Sequence, residues 1–114
     1  MKRIISSPFA PKAVGPYSQA VEANGTLYIS GQLPIDPTTG KMVEGIEAQT
    51  ARSLDNIRAI LEEAGYTLDD VVKSTVLLAD IADFGAMNAV YAKYYTKDMF
   101  IILLDVRAKA IRKV

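Results

Sequence analysis

The stretch Tyr17-Ser18-Gln19-Ala20-Val21-Glu22-Ala23-Asn24-Gly25-Thr26-Leu27-Tyr28-Ile29-Ser30 decides how the chain folds. β-favouring residues lie on both sides of Asn24-Gly25, a dipeptide that tolerates the positive φ angles of a tight turn. The spacing therefore predicts a hairpin pairing Ser18 to Ala23 with Thr26 to Ser30. Upstream, Pro11, Gly15 and Pro16 interrupt regular structure and predict an ordered loop that delivers Tyr17 to the strand start. Downstream, Pro34-Ile35-Asp36-Pro37-Thr38-Thr39-Gly40 reads as a second turn-rich connection.

Beyond that turn the period changes. Ile46, Thr50, Leu54, Ile57, Ile60, Leu61 and Ala64 recur at intervals of three and four, while Glu47, Arg52, Asp55, Arg58 and Glu62 fall between them. That pattern predicts an amphipathic helix ended by Gly65, which can take up the left-handed closing conformation. Lys73 to Leu78 then reads as a largely buried strand. Asp83 reads as the cap of a second helix with an inner face of Phe84, Met87, Asn88, Tyr91 and Tyr94. The apolar run Met99 to Val106 reads as a last buried strand, too short to cross a bilayer. This order of elements implies one α+β domain over residues 1–114, a mixed sheet with two helices packed on one face.

Composition narrows the chemistry. The chain has 114 residues, and its 13 basic and 13 acidic residues cancel, so no global field draws it onto nucleic acid or an anionic membrane. No segment approaches the roughly 18 to 20 apolar residues of a membrane span, and a soluble cytoplasmic protein is expected. With no cysteine and no histidine there is no thiolate nucleophile, imidazole base, His-based triad or ordinary zinc site. Carboxylates, hydroxyls, amides, Lys, Arg and backbone dipoles remain, a set suited to a substrate that is already strongly electrophilic.

Several segments carry a resemblance: Ala13-Val14-Gly15-Pro16-Tyr17-Ser18-Gln19-Ala20, then Ser30-Gly31-Gln32-Leu33-Pro34-Ile35-Asp36-Pro37-Thr38-Thr39-Gly40, then Ile46-Glu47-Ala48-Gln49-Thr50. It continues through Asn56, Ala64-Gly65, Val72-Lys73-Ser74-Thr75-Val76 and Asp83-Phe84-Gly85-Ala86-Met87-Asn88 to Tyr91. Together these closely resemble the Rid/YjgF family. The resemblance implies a chorismate-mutase-like fold assembled as a homotrimer around a central barrel, with ligand clefts between subunits. It implies hydrolysis of 2-imino acids and their enamine tautomers to 2-keto acids and ammonia, with no metal or organic cofactor. The segment 99–114 departs from the family pattern, which continues with a Pro-Ala-Arg stretch, a Leu-Pro loop and a closing strand. Here the chain reads Thr96-Lys97-Asp98-Met99-Phe100, and no glutamate follows Glu63.

The resemblance places Tyr17, Ser30, Gly31 and Asn88 at the substrate-binding site. Each also has a plainer reading: a half-buried packing tyrosine, a hydrogen-bonding neighbour, a bulge or close backbone approach, and an amide satisfying a buried backbone group. Arg107 is the nearest arginine to where the family holds the substrate carboxylate, and it reads equally as a solvated charge on a terminal segment. Ser30 has no histidine partner to make it a nucleophile, and Lys73 reads as a solvent-facing strand lysine rather than a Schiff base. Two other functions stay open: a noncatalytic trimer binding small carboxylates or protein partners in its clefts, and a translation inhibitor or endoribonuclease. The basic run Arg107, Lys109, Arg112 and Lys113 alone supports the latter.

Overall fold

The computed structural model describes residues 1–95 and 101–106. In chain order the elements are β1 (Lys2–Ile5), β2 (Ala20–Ala23), β3 (Thr26–Ile29), α1 (Ile46–Ala64), β4 (Lys73–Leu78), α2 (Phe84–Tyr94) and β5 (Ile101–Val106). The hairpin turns at Asn24 and Gly25, with φ of 53° and 76°, the left-handed pair that matches the twist of two antiparallel strands. β1 joins β2 on its other edge, an element the sequence reading did not anticipate because the pattern there is so short. The register aligns Ile5, Ala20 and Ile29 in one cross-strand row and Ile4, Val21 and Tyr28 in the next. Strand side chains alternate between faces. The first row is accordingly buried or half-buried beneath α1, and in the second Ile4 and Tyr28 are 62% and 64% exposed.

Helix α1 has the expected bounds. At its C-terminus Gly65 takes φ 88°, and the N–H groups of Gly65 and Tyr66 close back onto Glu62 O (3.1 Å) and Leu61 O (2.8 Å). Arg3 reaches over from β1 to donate from Nη2 to Ala64 O at 3.0 Å, placing a cation at the negative end of the helix. α1 contributes to two cores. Ile60 and Ala64 pack with Ile5, Ala10 and Ala20, while Leu54 packs with Leu78, Met87 and Tyr91.

Four expectations are corrected. The mixed sheet is divided: among the described residues, hydrogen bonds join β1, β2 and β3 antiparallel and, separately, β4 and β5 in parallel. A parallel pair needs a crossover, and α2 supplies it. β4 is not largely buried; only Leu78 is buried, Ser74 and Val76 are half-buried toward the helices, and Lys73, Thr75 and Leu77 face outward. Asp83 makes no capping hydrogen bond. The cap is Asp80, whose Oδ1 accepts from Ala82 N–H at 2.9 Å to open a 3₁₀ turn, Ile81–Asp83, that runs into α2. Finally, the buried residues of α2 are Met87, Val90 and Tyr91, with Tyr94 half-buried, while Phe84 and Asn88 are exposed. Asn88 lies one residue, or about 100° of helix, from Met87, which turns it out of the packed stripe. Met99, Phe100, Arg107 and the basic run beyond it lie outside the described residues. No helix among the described residues is long and apolar enough to cross a membrane.

Glu22 ties three elements together. Its carboxylate accepts from the Tyr66 hydroxyl beyond α1 and from Arg3 Nε of β1 at 3.1 Å. The Tyr66 bond first, then Arg3, holds the Glu22 carboxyl below its ordinary range, and the same bond raises the Tyr66 hydroxyl above its own. A carboxylate held charged in the folded state contributes its stability above the unfolded carboxylate range and loses it as pH falls through the folded value. Urea midpoints measured from neutral pH down to about pH 3 are therefore expected to fall more steeply for the wild type than for Glu22→Gln. Parallel curves would remove this linkage.

Candidate functional site

The segment from Ser7 to Tyr17 has no regular ladder to satisfy its backbone, and a buried side chain does so instead. Gln19, only 4% exposed, accepts at Oε1 from Ser7 N–H (2.6 Å). Its Nε2 donates toward the carbonyls of Ser7 (3.2 Å), Ala10 (3.4 Å) and Pro11 (2.9 Å). On the backbone, Gln19 O accepts from both Ser30 N–H (2.9 Å) and Ser30 Oγ (3.0 Å). One residue thus ties the loop to the end of β3.

Tyr17 stands on that loop rather than at a strand start, since β2 begins at Ala20. It is 52% exposed. Its N–H bonds to Gly15 O at 2.8 Å, and its hydroxyl accepts from Val14 N–H at a long 3.5 Å. Gly15 leaves the ring its space: a Cβ there would sit 3.1 and 3.2 Å from Tyr17 Cε2 and Cδ2. The phenol consequently presents a free donor to solvent.

Ser30 spends its hydroxyl proton on Gln19 O, which leaves oxygen lone pairs to accept a further bond. Gly31 follows in an exposed position with no atom within 4 Å of where a Cβ would be, so a ligand can approach its backbone closely. Among the described residues no hydrogen bond joins Ser30 or Gly31 to a carboxylate or a lysine, and no group of carboxylates could hold a metal ion. The Tyr17 hydroxyl, the Ser30 lone pairs and the Gly31 backbone are each able to hydrogen-bond a small polar ligand. Hydrogen bonding of this kind orients a ligand and forms no covalent intermediate.

Just beyond Gly31, a second buried amide fixes the backbone. Asn56 of α1, fully buried, donates from Nδ2 to Leu33 O (3.1 Å) and Ile35 O (3.0 Å) and accepts at Oδ1 from Arg52 Nε (3.2 Å) and Nη2 (3.0 Å). Asp36 closes the following turn by accepting at Oδ1 from Thr38 N–H (2.8 Å) and the Thr38 hydroxyl, bonds that hold its carboxyl below the ordinary range. Gln19 and Asn56 were not among the candidates from sequence. Both stand among the residues that carry the resemblance, and Asn56 lies within a segment otherwise read by its apolar period.

Asn88 is exposed on α2, whose buried residues Met87 and Tyr91 belong to the other core, and among the described residues no hydrogen bond links it to Tyr17, Ser30 or Gly31. Arg107 lies outside the described residues.

A small α+β domain with two helices and short strands, three of them in an antiparallel sheet, defines a recognisable class. Residues 8–112 match the family model described as endoribonuclease L-PSP, and the chain belongs to that family, the Rid/YjgF proteins. A RutC family protein of Pyrococcus horikoshii is 56% identical over 96 residues, covering 83% of this chain and 76% of that protein. A protein of Capra hircus named 2-iminobutanoate/2-iminopropanoate deaminase is 52% identical over 96 residues, covering 83% of this chain and 70% of its own length. Among solved structures, the Rid family protein YyfA of Yersinia pestis is 43% identical and aligns with a TM-score of 0.91 over 95% of this chain and 87% of that one.

Replacing Asn56 by Ala strips the partner from two backbone carbonyls and from the Arg52 guanidinium. Each buried polar group left unpaired costs about 1–3 kcal/mol, so Asn56→Ala is expected to lower stability by about 2–4 kcal/mol. In urea the midpoint should drop with an unchanged slope. A midpoint within error of wild type would mean that the carbonyls find other partners.

Proposed function

We propose that the protein hydrolyses 2-imino acids and their enamine tautomers to 2-keto acids and ammonia. Family membership supports this reading, as does a relative at 52% identity that carries the name of such a deaminase. The observation that supports it is the buried Gln19, which ties the loop carrying the exposed Tyr17 to Ser30, the neighbour of the exposed Gly31. A protonated imine is electrophilic enough for water to add without a strong nucleophile. Water adds to the C=N carbon and loses a proton, and the resulting carbinolamine collapses to the ketone with the nitrogen leaving as ammonia. The protein's task is orientation and hydrogen bonding. Tyr17 is assigned to hold the ligand or the attacking water through its hydroxyl. The Ser30 lone pairs and the Gly31 backbone are assigned to the iminium end, and Asn88 to the wall of the same cleft contributed by a neighbouring subunit. Arg107 is retained as the candidate carboxylate anchor, which would make a bidentate charged contact.

In this reading the assembly is a homotrimer with its clefts between subunits. The outward faces of both sheets support association. Ile4 and Tyr28 on one and Leu77 on the other are half or more exposed, and apolar side chains on an open sheet face favour being covered.

Two measurements test these assignments. With a 2-imino acid generated by an amino-acid oxidase and trapped by semicarbazide, the purified protein is expected to suppress semicarbazone formation, and Tyr17→Phe to lower kcat/KM by about tenfold, the loss of one hydrogen bond. No suppression by folded protein would end the deaminase reading and favour the noncatalytic binder. Light scattering is expected to give the mass of three 12.4 kDa chains, reduced to one in Tyr28→Glu. A monomeric wild type would end the inter-subunit cleft.

A further inference from the structure

We propose that Gln19 is the positioning residue of this site, setting the place of the Tyr17 hydroxyl relative to Ser30 and Gly31 without touching the substrate. The inference rests on the deaminase reading and adds to it the part that holds the Tyr17 loop in place.

Tyr17 has little of its own to hold it. Its ring is half exposed, its hydroxyl contact to Val14 N–H is 3.5 Å long, and its one short bond is the local turn to Gly15 O. Its position is therefore inherited from the two ends of its loop. One end is Ser7, buried at 3% exposure, with its own hydroxyl accepting from Phe9 N–H at 3.1 Å. The other end is Gln19 itself, two residues after Tyr17. The Gln19 amide joins them with one accepted bond and donation toward three carbonyls. Only a primary amide combines an acceptor with two N–H donors at that reach. Leu has neither, and Glu keeps the acceptor but turns a second oxygen toward three carbonyls. The backbone carbonyl of the same residue receives both protons of Ser30. Loop and strand end are thus referenced to a single residue, and catalysis that depends on orientation is sensitive to displacements of about 1 Å.

A residue that merely supports folding and one that positions Tyr17 give different double-mutant behaviour. The measurement is kcat/KM in the semicarbazide competition for wild type, Tyr17→Phe, Gln19→Leu and the double variant, each confirmed folded by circular dichroism. The same cycle is repeated with Gln19→Glu, which retains the Ser7 contact. Removing the Tyr17 hydroxyl is expected to cost about tenfold with Gln19 present and less than about twofold in either Gln19 background. Gln19→Leu alone should lower kcat/KM at least as much as Tyr17→Phe does. Equal tenfold losses in all backgrounds would overturn the proposal, since a structural role scales every rate alike. An inactive wild type would overturn it together with the deaminase reading, and active wild type with an additive cycle would overturn it alone.

Discussion

Helix α1 carries two apolar stripes, and both sheets depend on it. Ile60 and Ala64 cover the row of Ile5 and Ala20, and earlier on the helix Leu54 enters the cluster of Leu78, Met87 and Tyr91. Strands this short, in ladders of two or three, do not hold themselves together in water and need an apolar cover. A single helix serving both fixes where each sheet lies. The helix end is fastened in turn by Gly65, by Arg3 on its last carbonyl, and by the Glu22 and Tyr66 pair beside it.

Long loops create the opposite problem, since their backbone groups must find partners without a ladder. Two buried amides solve it. Asn56 reaches from α1 to the carbonyls of Leu33 and Ile35, and Gln19 reaches from the start of the hairpin to those of Ser7, Ala10 and Pro11. Tyr17 and Gly31 are exposed beside these anchored segments, and Ser30 is half-buried at the end of β3. Rigid backbone beneath an open surface is the arrangement that lets small polar groups act on a ligand.

The proposed deaminase reaction asks modest chemistry of the protein, which fits a sequence with no histidine and no cysteine. An electrophilic substrate needs placing more than it needs activating. Asn88 is exposed on α2, beside the second core, and Ile4, Tyr28 and Leu77 on the outward sheet faces are half or more exposed.

The sequence by itself determined the local elements. Asn24-Gly25 specified its turn through positive φ, the three-and-four spacing from Ile46 specified α1 to both ends, and the run around Ile101 specified a strand, because each depends on neighbours a few residues away. It also excluded histidine and thiolate chemistry outright. The tertiary structure decided what depends on distant partners. It paired β1 with β2, divided the sheet, moved the cap from Asp83 to Asp80, turned Asn88 outward by one residue's rotation, and made Gln19 and Asn56 the partners of loop backbone groups. An amide in a sequence announces only that it can donate and accept. Which carbonyls it satisfies is settled when the backbone that carries them, up to 23 residues away for Asn56, is packed against it.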